Sequence, residues 1–503
     1  MAKIANVIGR FEAFTIAIAI YIIGYIQMAG SKNVGTFTSA QIFYSAGSQG
    51  LQVLQQIFIA DTSDLLNRAL FSSLPDVPFL ATVWAGPSAA NSLLANSGWR
   101  WGYGLWTIVL PAAFLPLALA LFLNMRKAKR LGMLPPSPWK GQTIGGAFRN
   151  LWFDLDVMGL LLLSAAFTLI LVPLTLAAKT SRKWENPSLI AMMVIGGVCL
   201  IVFPIWESIK KLAPRPFLSL HLLTNRTVLV GCTIAFFYFA VFYTSIQPYF
   251  SSYLQVVHSQ SVTAAGRIVN TFSFSSTVSS VLISLVIKYT RHYKYYVTAG
   301  ACIYLLGVGL MIRYRSETSS ISQIVGTQIC IGIGGGLVNV PAQLGVQASV
   351  AHTDVAAATA IFLTILEIGG AVGSAISGAI WSNNLLTKLQ DTLPEAAKAN
   401  ASLIFGNITI AQSYPAGSRE KIAINRSYQE SLDLILIAAA CFAAPLIPLS
   451  LFMKNYRLDA VEQKVKGNVI GSDRARSTAG YESGTEGADS TSTSKKRWLG
   501  WVK

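Results

Sequence analysis

The chain has 503 residues, 53% hydrophobic and 12% charged, about half the charged fraction of a soluble domain, and this balance excludes an ordinary soluble enzyme. The net charge of +17 does not mark a nucleic-acid binder. Its basic residues cluster between apolar runs and at the C-terminus, as cytoplasmic anchors of membrane helices do.

Twelve apolar segments follow one another: 11–30, 38–60, 75–94, 101–123, 157–178, 188–206, 228–250, 263–287, 295–312, 321–350, 354–381 and 431–453. A hydrocarbon core of about 30 Å needs about 20 apolar residues in a helix. Backbone polar groups in lipid must be satisfied within the segment, so each segment is predicted helical. The chain therefore reads as an all-α polytopic membrane protein. Lys3 and Arg10 before the first segment imitate a signal peptide. No small-x-small cleavage site follows, so that segment is predicted to be retained.

Alternating sides from a cytoplasmic start puts Arg126, Lys127, Lys129, Arg130, Lys140 and Arg149 inside, then Lys210, Lys211, Arg215 and Arg226, then Lys288, Arg291 and Lys294. Lys179, Arg182 and Lys183 are an outside exception. The bias predicts both termini in the cytoplasm. The outer loop 384–430 carries sequons at Asn400, Asn407 and Asn425, predicted glycosylation sites; that at Asn225 falls inside. The tail 454–503 is predicted to be disordered, being rich in Gly, Ser, Thr and charge. Cys199, Cys232, Cys302, Cys330 and Cys441 lie in or beside apolar segments without ligand spacing. They read as small buried residues, and neither a metal site nor a cofactor is predicted.

Function has to be read from polar groups inside the apolar segments. In the second, Gln41, Ser45, Ser48, Gln52 and Gln55 recur at helical spacing, with Gln49 and Gln56 beside them. Unpaired amides facing lipid are costly, so this face is predicted to line a cavity for a large hydrogen-bonding solute. Interhelical hydrogen bonding is the alternative. Tyr243, Gln247 and Tyr249 close an aromatic-rich seventh segment and are candidates for the same cavity; packing is their alternative. Glu367 stands mid-segment in the eleventh, where a carboxyl points to proton or substrate handling unless burial keeps it neutral. Gly369, Gly373 and Ser377 allow close helix approach. No nucleophile, metal or phosphate constellation is present in the sequence, so catalysis is not predicted.

The stretch QIFYSAGSQGLQVLQQIFIADTSDLLNRALFSSLPDVPFLATVWAGP (41–87) resembles the major facilitator superfamily, and more narrowly its fungal siderophore–iron transporter family. Gly98-Trp99-Arg100-Trp101-Gly102, Tyr253-Leu254-Gln255-Val256-Val257 and the last outer loop through Tyr428 carry the same likeness. The resemblance implies fourteen helices, two six-helix bundles joined by an extra pair, with about twelve visible here. It divides the chain into an incomplete first bundle (1–123), a linker with two extra helices (124–227), a second bundle (228–453) and the tail (454–503). Two helices expected before Asn6-Val7-Ile8-Gly9-Arg10 are missing, which suggests a truncated gene model or isoform.

The resemblance implies import of ferric siderophores by proton symport, at the plasma membrane or an endosomal or vacuolar membrane. The partners it implies are the ferric chelate, protons and membrane lipid. A proton-linked exchanger or exporter of glutathione or drugs is the alternative, as is a truncated non-functional isoform. Gly9, Arg10, Asp61, Asp64 and Arg68 are implied gating residues. Asn6 replaces the family's usual Asp there. Tyr428 is implied in substrate passage, with Tyr414 and Arg419 behind it. Gln41, Ser45, Gln49, Gln52, Tyr243, Gln247, Tyr249 and Tyr428 form the predicted substrate set, and Glu367 the predicted proton-coupling group.

Overall fold

A computed structural model of the chain describes residues 4–5, 8–131, 144–177, 185–209, 211–214, 216 and 220–460. Asn6 and nearly all of the predicted disordered tail lie outside the described residues.

The long helices are α1 (Arg10–Ala29), α2 (Val34–Thr62), α3 (Phe79–Asn96), α4 (Trp106–Arg130), α5 (Val157–Leu176), α6 (Pro187–Ser208), α7 (Arg226–Ser245), α8 (Val262–Thr290), α9 (Lys294–Tyr314), α10 (Ile321–Ala348), α11 (Val355–Thr392) and α12 (Arg419–Ala443). Ten stretches of the described residues are long and apolar enough to cross a membrane. The polar residues of α2 and α3 keep those two below that mark. Several starts are fixed by side chains that satisfy free backbone N–H groups. Asn33 accepts from Thr36 at α2 and Ser320 from Gln323 at α10, each with the reciprocal bond of a capping box.

Small residues set the tightest contacts. A Cβ on Gly369 of α11 would lie 2.1 Å from the Phe236 carbonyl oxygen of α7, and one on Gly373 would lie 2.4 Å from that of Ala240. In α1 and α2, Gly24 meets the Tyr44 backbone and Gly47 meets Tyr21 in the same way, each at 2.5 Å. Lipid supplies little hydrophobic drive between helices, so this close packing has to hold them.

Helices α7–α12 enclose one continuous buried core, including Tyr253, Tyr293, Tyr304 and Phe362. The core among α1, α2 and α4 is much smaller: Ala5, Ala13, Phe14, Ala17 and Leu54. Helix α4 has no buried residue and turns Leu115, Leu119 and Leu123 outward. The pair α5–α6 packs together and α5 rests on α11, where Thr175 meets Gly378. The first four helices meet the second bundle through α2 on α11, α3 on α8, and the short helix Leu65–Ser73 on α8 and α10.

The segment 384–430 is not an open loop. Helix α11 continues to Thr392, short helices follow at Glu395–Lys398, Ala401–Gly406 and Ile408–Ser413, and α12 begins at Arg419. Leu385, Leu389, Leu393, Ala397, Ala401 and Ile404 fall three or four residues apart and are all buried in the second core. Their helical period is real, but the polar residues between them dilute mean hydropathy.

Candidate functional site

On α2, Gln41, Ser45, Gln52 and Gln55 are exposed, while Ser48 and Gln49 are half-buried. The opposite face carries the buried Ala40, Gly47, Gly50, Leu54 and Ile57 against the neighbouring helices. Gln41, Ser45, Gln49 and Gln52 make no hydrogen bond to another helix among the described residues. Two amides on the flanks behave differently. Gln55 borders a mostly apolar cavity of about 420 Å³ with Phe14, Leu51, Phe58, Ile59, Phe114 and Leu117. Gln56 crosses to the second bundle: its Oε1 accepts from Gln343 Nε2 of α10 at 3.0 Å, and its Nε2 donates to the Ser72 carbonyl at 3.3 Å.

Glu367 is half-buried on α11 and has no hydrogen-bond partner among the described residues. Tyr243 of α7 lies beside it in the same seam. Its ring would meet a Cβ on Gly370 at 2.8 Å, and it packs edge-on against Phe239. Gln247 is exposed just beyond α7. Tyr249 stacks on Trp381, with centroids 4.5 Å apart and planes 13° apart, and Tyr428 meets Trp381 edge-on at 5.3 Å. Tyr243, Glu367, Tyr249 and Tyr428 therefore share the α7–α11–α12 region, whereas no hydrogen bond joins them to the α2 amides. Tyr428 is only 3% exposed, so it reaches a solute only if its surroundings open. Trp381, the ring that holds the two tyrosines together, was not among the predicted residues.

Where α1 begins and α2 ends, Arg10 Nη2 bonds Asp61 Oδ2 at 2.7 Å. Gly9 takes φ +135°, a backbone conformation that residues with a Cβ rarely adopt, so any other residue there is strained. Arg68 is fully buried and donates from Nη2 to the Ser63 carbonyl at 3.2 Å. Asp64 and Asp61 supply the opposite charge near it. The structure thus brings Arg10 to Asp61 and sets Asp64 and Arg68 at the start of the helix Leu65–Ser73, which packs on α8 and α10.

Just beyond the end of α9, Arg315 is fully buried, its guanidinium 3.7 Å from the Phe250 ring centre and its Nη1 donating to the Ser245 carbonyl at 2.6 Å. Gln429 of α12 ties this corner, donating to the Arg315 carbonyl at 2.7 Å and accepting from the Tyr253 hydroxyl at 2.5 Å. Burial lowers the pKa of His258 nearby. Lys388 and Arg426 both pair with Glu430. Tyr414 is half-buried and Arg419 exposed at the start of α12. Asn400 and Asn407 are exposed. Asn425 lies within α12, half-buried, with its amide oxygen buried and unpartnered. A helix interior presents an acceptor poorly, so the three sequons are not equivalent.

No family model matches the chain. Among curated proteins, it is 59% identical over 463 residues to siderophore iron transporter mirC of Emericella nidulans, covering 92% of this chain and 76% of that protein. It is 57% identical over 467 residues to MFS siderochrome iron transporter C of Aspergillus fumigatus, with the same two shares. It is 37% identical over 466 residues to siderophore iron transporter 1 of Schizosaccharomyces pombe, covering 92% and 74%. Among solved structures, a bacterial homologue of the human lysosomal transporter Spinster matches 88% of this chain and 84% of its own at 13% identity and TM-score 0.45, too distant to add to the assignment.

Proposed function

The chain belongs to the fungal siderophore–iron transporter family of the major facilitator superfamily, and from that premise we propose that it imports ferric siderophores by proton-coupled alternating access. The observation that carries this reading is the likeness to named siderophore iron transporters through nearly the whole chain, rather than in one segment.

Iron is cargo here, held by the oxygen donors of the chelate. The bundles rock about a site near the membrane midplane. The exposed amides and hydroxyl of α2 (Gln41, Ser45, Gln49, Gln52) hydrogen-bond the chelate's carbonyl and hydroxyl groups, exchanging water for protein at modest net gain. Tyr243 and Tyr249 give flat apolar contact with a polar tip. Gln247 stands at the outer mouth. Tyr428 comes into play as the outer end moves. Glu367 takes the proton, since a carboxylate in an apolar seam without a counter-ion is costly when charged. The Arg10–Asp61 pair and the buried Arg68 close the inner end.

The test is uptake of labelled ferric siderophores by the full chain in yeast lacking its own siderophore importers. Saturable uptake that collapses with a protonophore is expected. No uptake across several chelate classes rejects the reading. A second reading, exchange or export of glutathione or drugs, draws on Gly86-Pro87, a position shared with antiporters. Pro87 lies at the seam between α3 and α8, 3.2 Å from where a Cβ on Gly266 would sit. Efflux without iron-dependent uptake would favour it.

A further inference from the structure

Helices α2 and α10 share one register. Each opens on a capping box, at Asn33 and at Ser320. The interval from Val34, the first residue of α2, to Ile321, the first of α10, is the 287 positions that also separate Gln56 from Gln343, whose amides meet across the two bundles. The same interval carries Gln41 onto Gln328 and Gln52 onto Asn339. Three amides therefore recur at equal distances from the starts of the two helices. At about 100° per residue, each set of three falls within about 60°, on one face of its helix.

The two faces differ in what they touch. On α2, Gln41 and Gln52 are exposed. On α10, Gln328 is wholly buried, and both its amide oxygen and its amide nitrogen lack a hydrogen-bond partner. Asn339 is half-buried, and its amide oxygen is buried without a partner. Gly335 stands between them on the same face. A Cβ there would lie 3.2 Å from the tip of the Phe272 ring and 3.3 Å from the Tyr238 hydroxyl, so α8 and α7 cover this part of the face. Gln343, further along it, reaches the first bundle. An amide closed in without a partner gives up its water and gains no bond in return. Packing alone favours an apolar side chain at such a position, as at the buried Ile331 and Val338 of the same helix. Helix α10 contains no Asp, Glu, Lys or Arg, and α2 only Asp61. The groups that complete these amides are therefore neutral donors and acceptors.

We infer that Gln328 and Asn339 are the second bundle's half of the solute site, the counterparts of Gln41 and Gln52 on the first. The inference rests on the proposed siderophore transport and extends its binding set to α10. The Gln56–Gln343 hydrogen bond ties the two amide faces together. When it breaks and the bundles part, carbonyl and hydroxyl groups of the chelate bond to the amides of Gln328 and Asn339.

The test uses the full chain in liposomes. Gln328→Met and Asn339→Leu nearly keep volume and remove the amides. Each should raise the KM for labelled ferric siderophore about tenfold, the weight of one hydrogen bond, without lowering the melting temperature, since no protein partner is lost. An unchanged KM in both variants overturns the proposal; a lower melting temperature beside it would mark the amides as merely structural. Where a variant does not assemble, thiol labelling decides. Gln328→Cys and Asn339→Cys should each react with a small hydrophilic reagent above the level set by the five native cysteines, and ferric siderophore should slow the reaction. Positions that stay unlabelled, or labelling that the transported chelate does not slow, overturn the proposal. If the parent carries no ferric siderophore yet both positions react, the water-reached amide site stands and the siderophore reading fails.

Discussion

At the scale of single residues, an ionisable group in an apolar seam is costly when charged and so favours taking up a proton. Glu367→Gln removes the proton without changing shape. Its gradient-driven uptake should lose its pH dependence and fall at least about tenfold, while exchange at equal pH survives; uptake unchanged across pH removes Glu367 from the mechanism. The Arg10–Asp61 pair is of another kind. Both side chains are about a third exposed, so Asp61→Asn should cost at most about 1 kcal/mol in thermal unfolding. Its effect should show instead in how readily the inner end opens to a cytoplasmic labelling reagent. A large loss of stability without altered labelling would make the pair structural. Glu367 was legible because a charge stands out in an apolar run. Trp381 was not, since one more aromatic at a segment end has no pattern, and only the fold brings Tyr249 and Tyr428 against it.

At the scale of elements, the twelve segments were readable because lipid leaves helix as the one way to satisfy each backbone. Their junctions were harder. The seam of α7 and α11 was foreshadowed by Gly369, Gly373 and Ser377, and its geometry is unforgiving: a methyl on Gly369 would lie 2.1 Å from a backbone oxygen. Gly369→Ala should therefore force the helices apart and destabilise the protein by about 1–3 kcal/mol, seen as a lower melting temperature in detergent; an unchanged melting temperature would contradict that packing. The outer segment misled, because its six buried apolar positions are spaced for a helix but separated by charge. The same helicity separates the sequons. Asn400→Gln and Asn407→Gln should each lower the glycosylated mass by one step, and Asn425→Gln by none. A glycan at Asn425 would mean that the start of α12 unwinds.

At the scale of the whole molecule, two unequal bodies meet along α2–α11 and α3–α8, with the helix Leu65–Ser73 wedged against α8 and α10. The family resemblance implies two bundles joined by an extra pair. It did not anticipate the Gln56–Gln343 hydrogen bond across them, because two glutamines 287 residues apart carry no sequence signal of contact. The reading of α2 was legible in outline: Gln41, Ser45 and Gln52 share an exposed face. Which amides bridge and which stay open depended on neighbours hundreds of residues away. The claim that this face is the solute path is tested most directly by cysteines at Gln41, Ser45 and Gln52 in the membrane-inserted full chain, probed with a small hydrophilic thiol reagent with and without ferric siderophore. Labelling at all three positions and protection by the chelate are expected. Positions that stay unlabelled in correctly inserted protein, or labelling that no chelate slows, would contradict it.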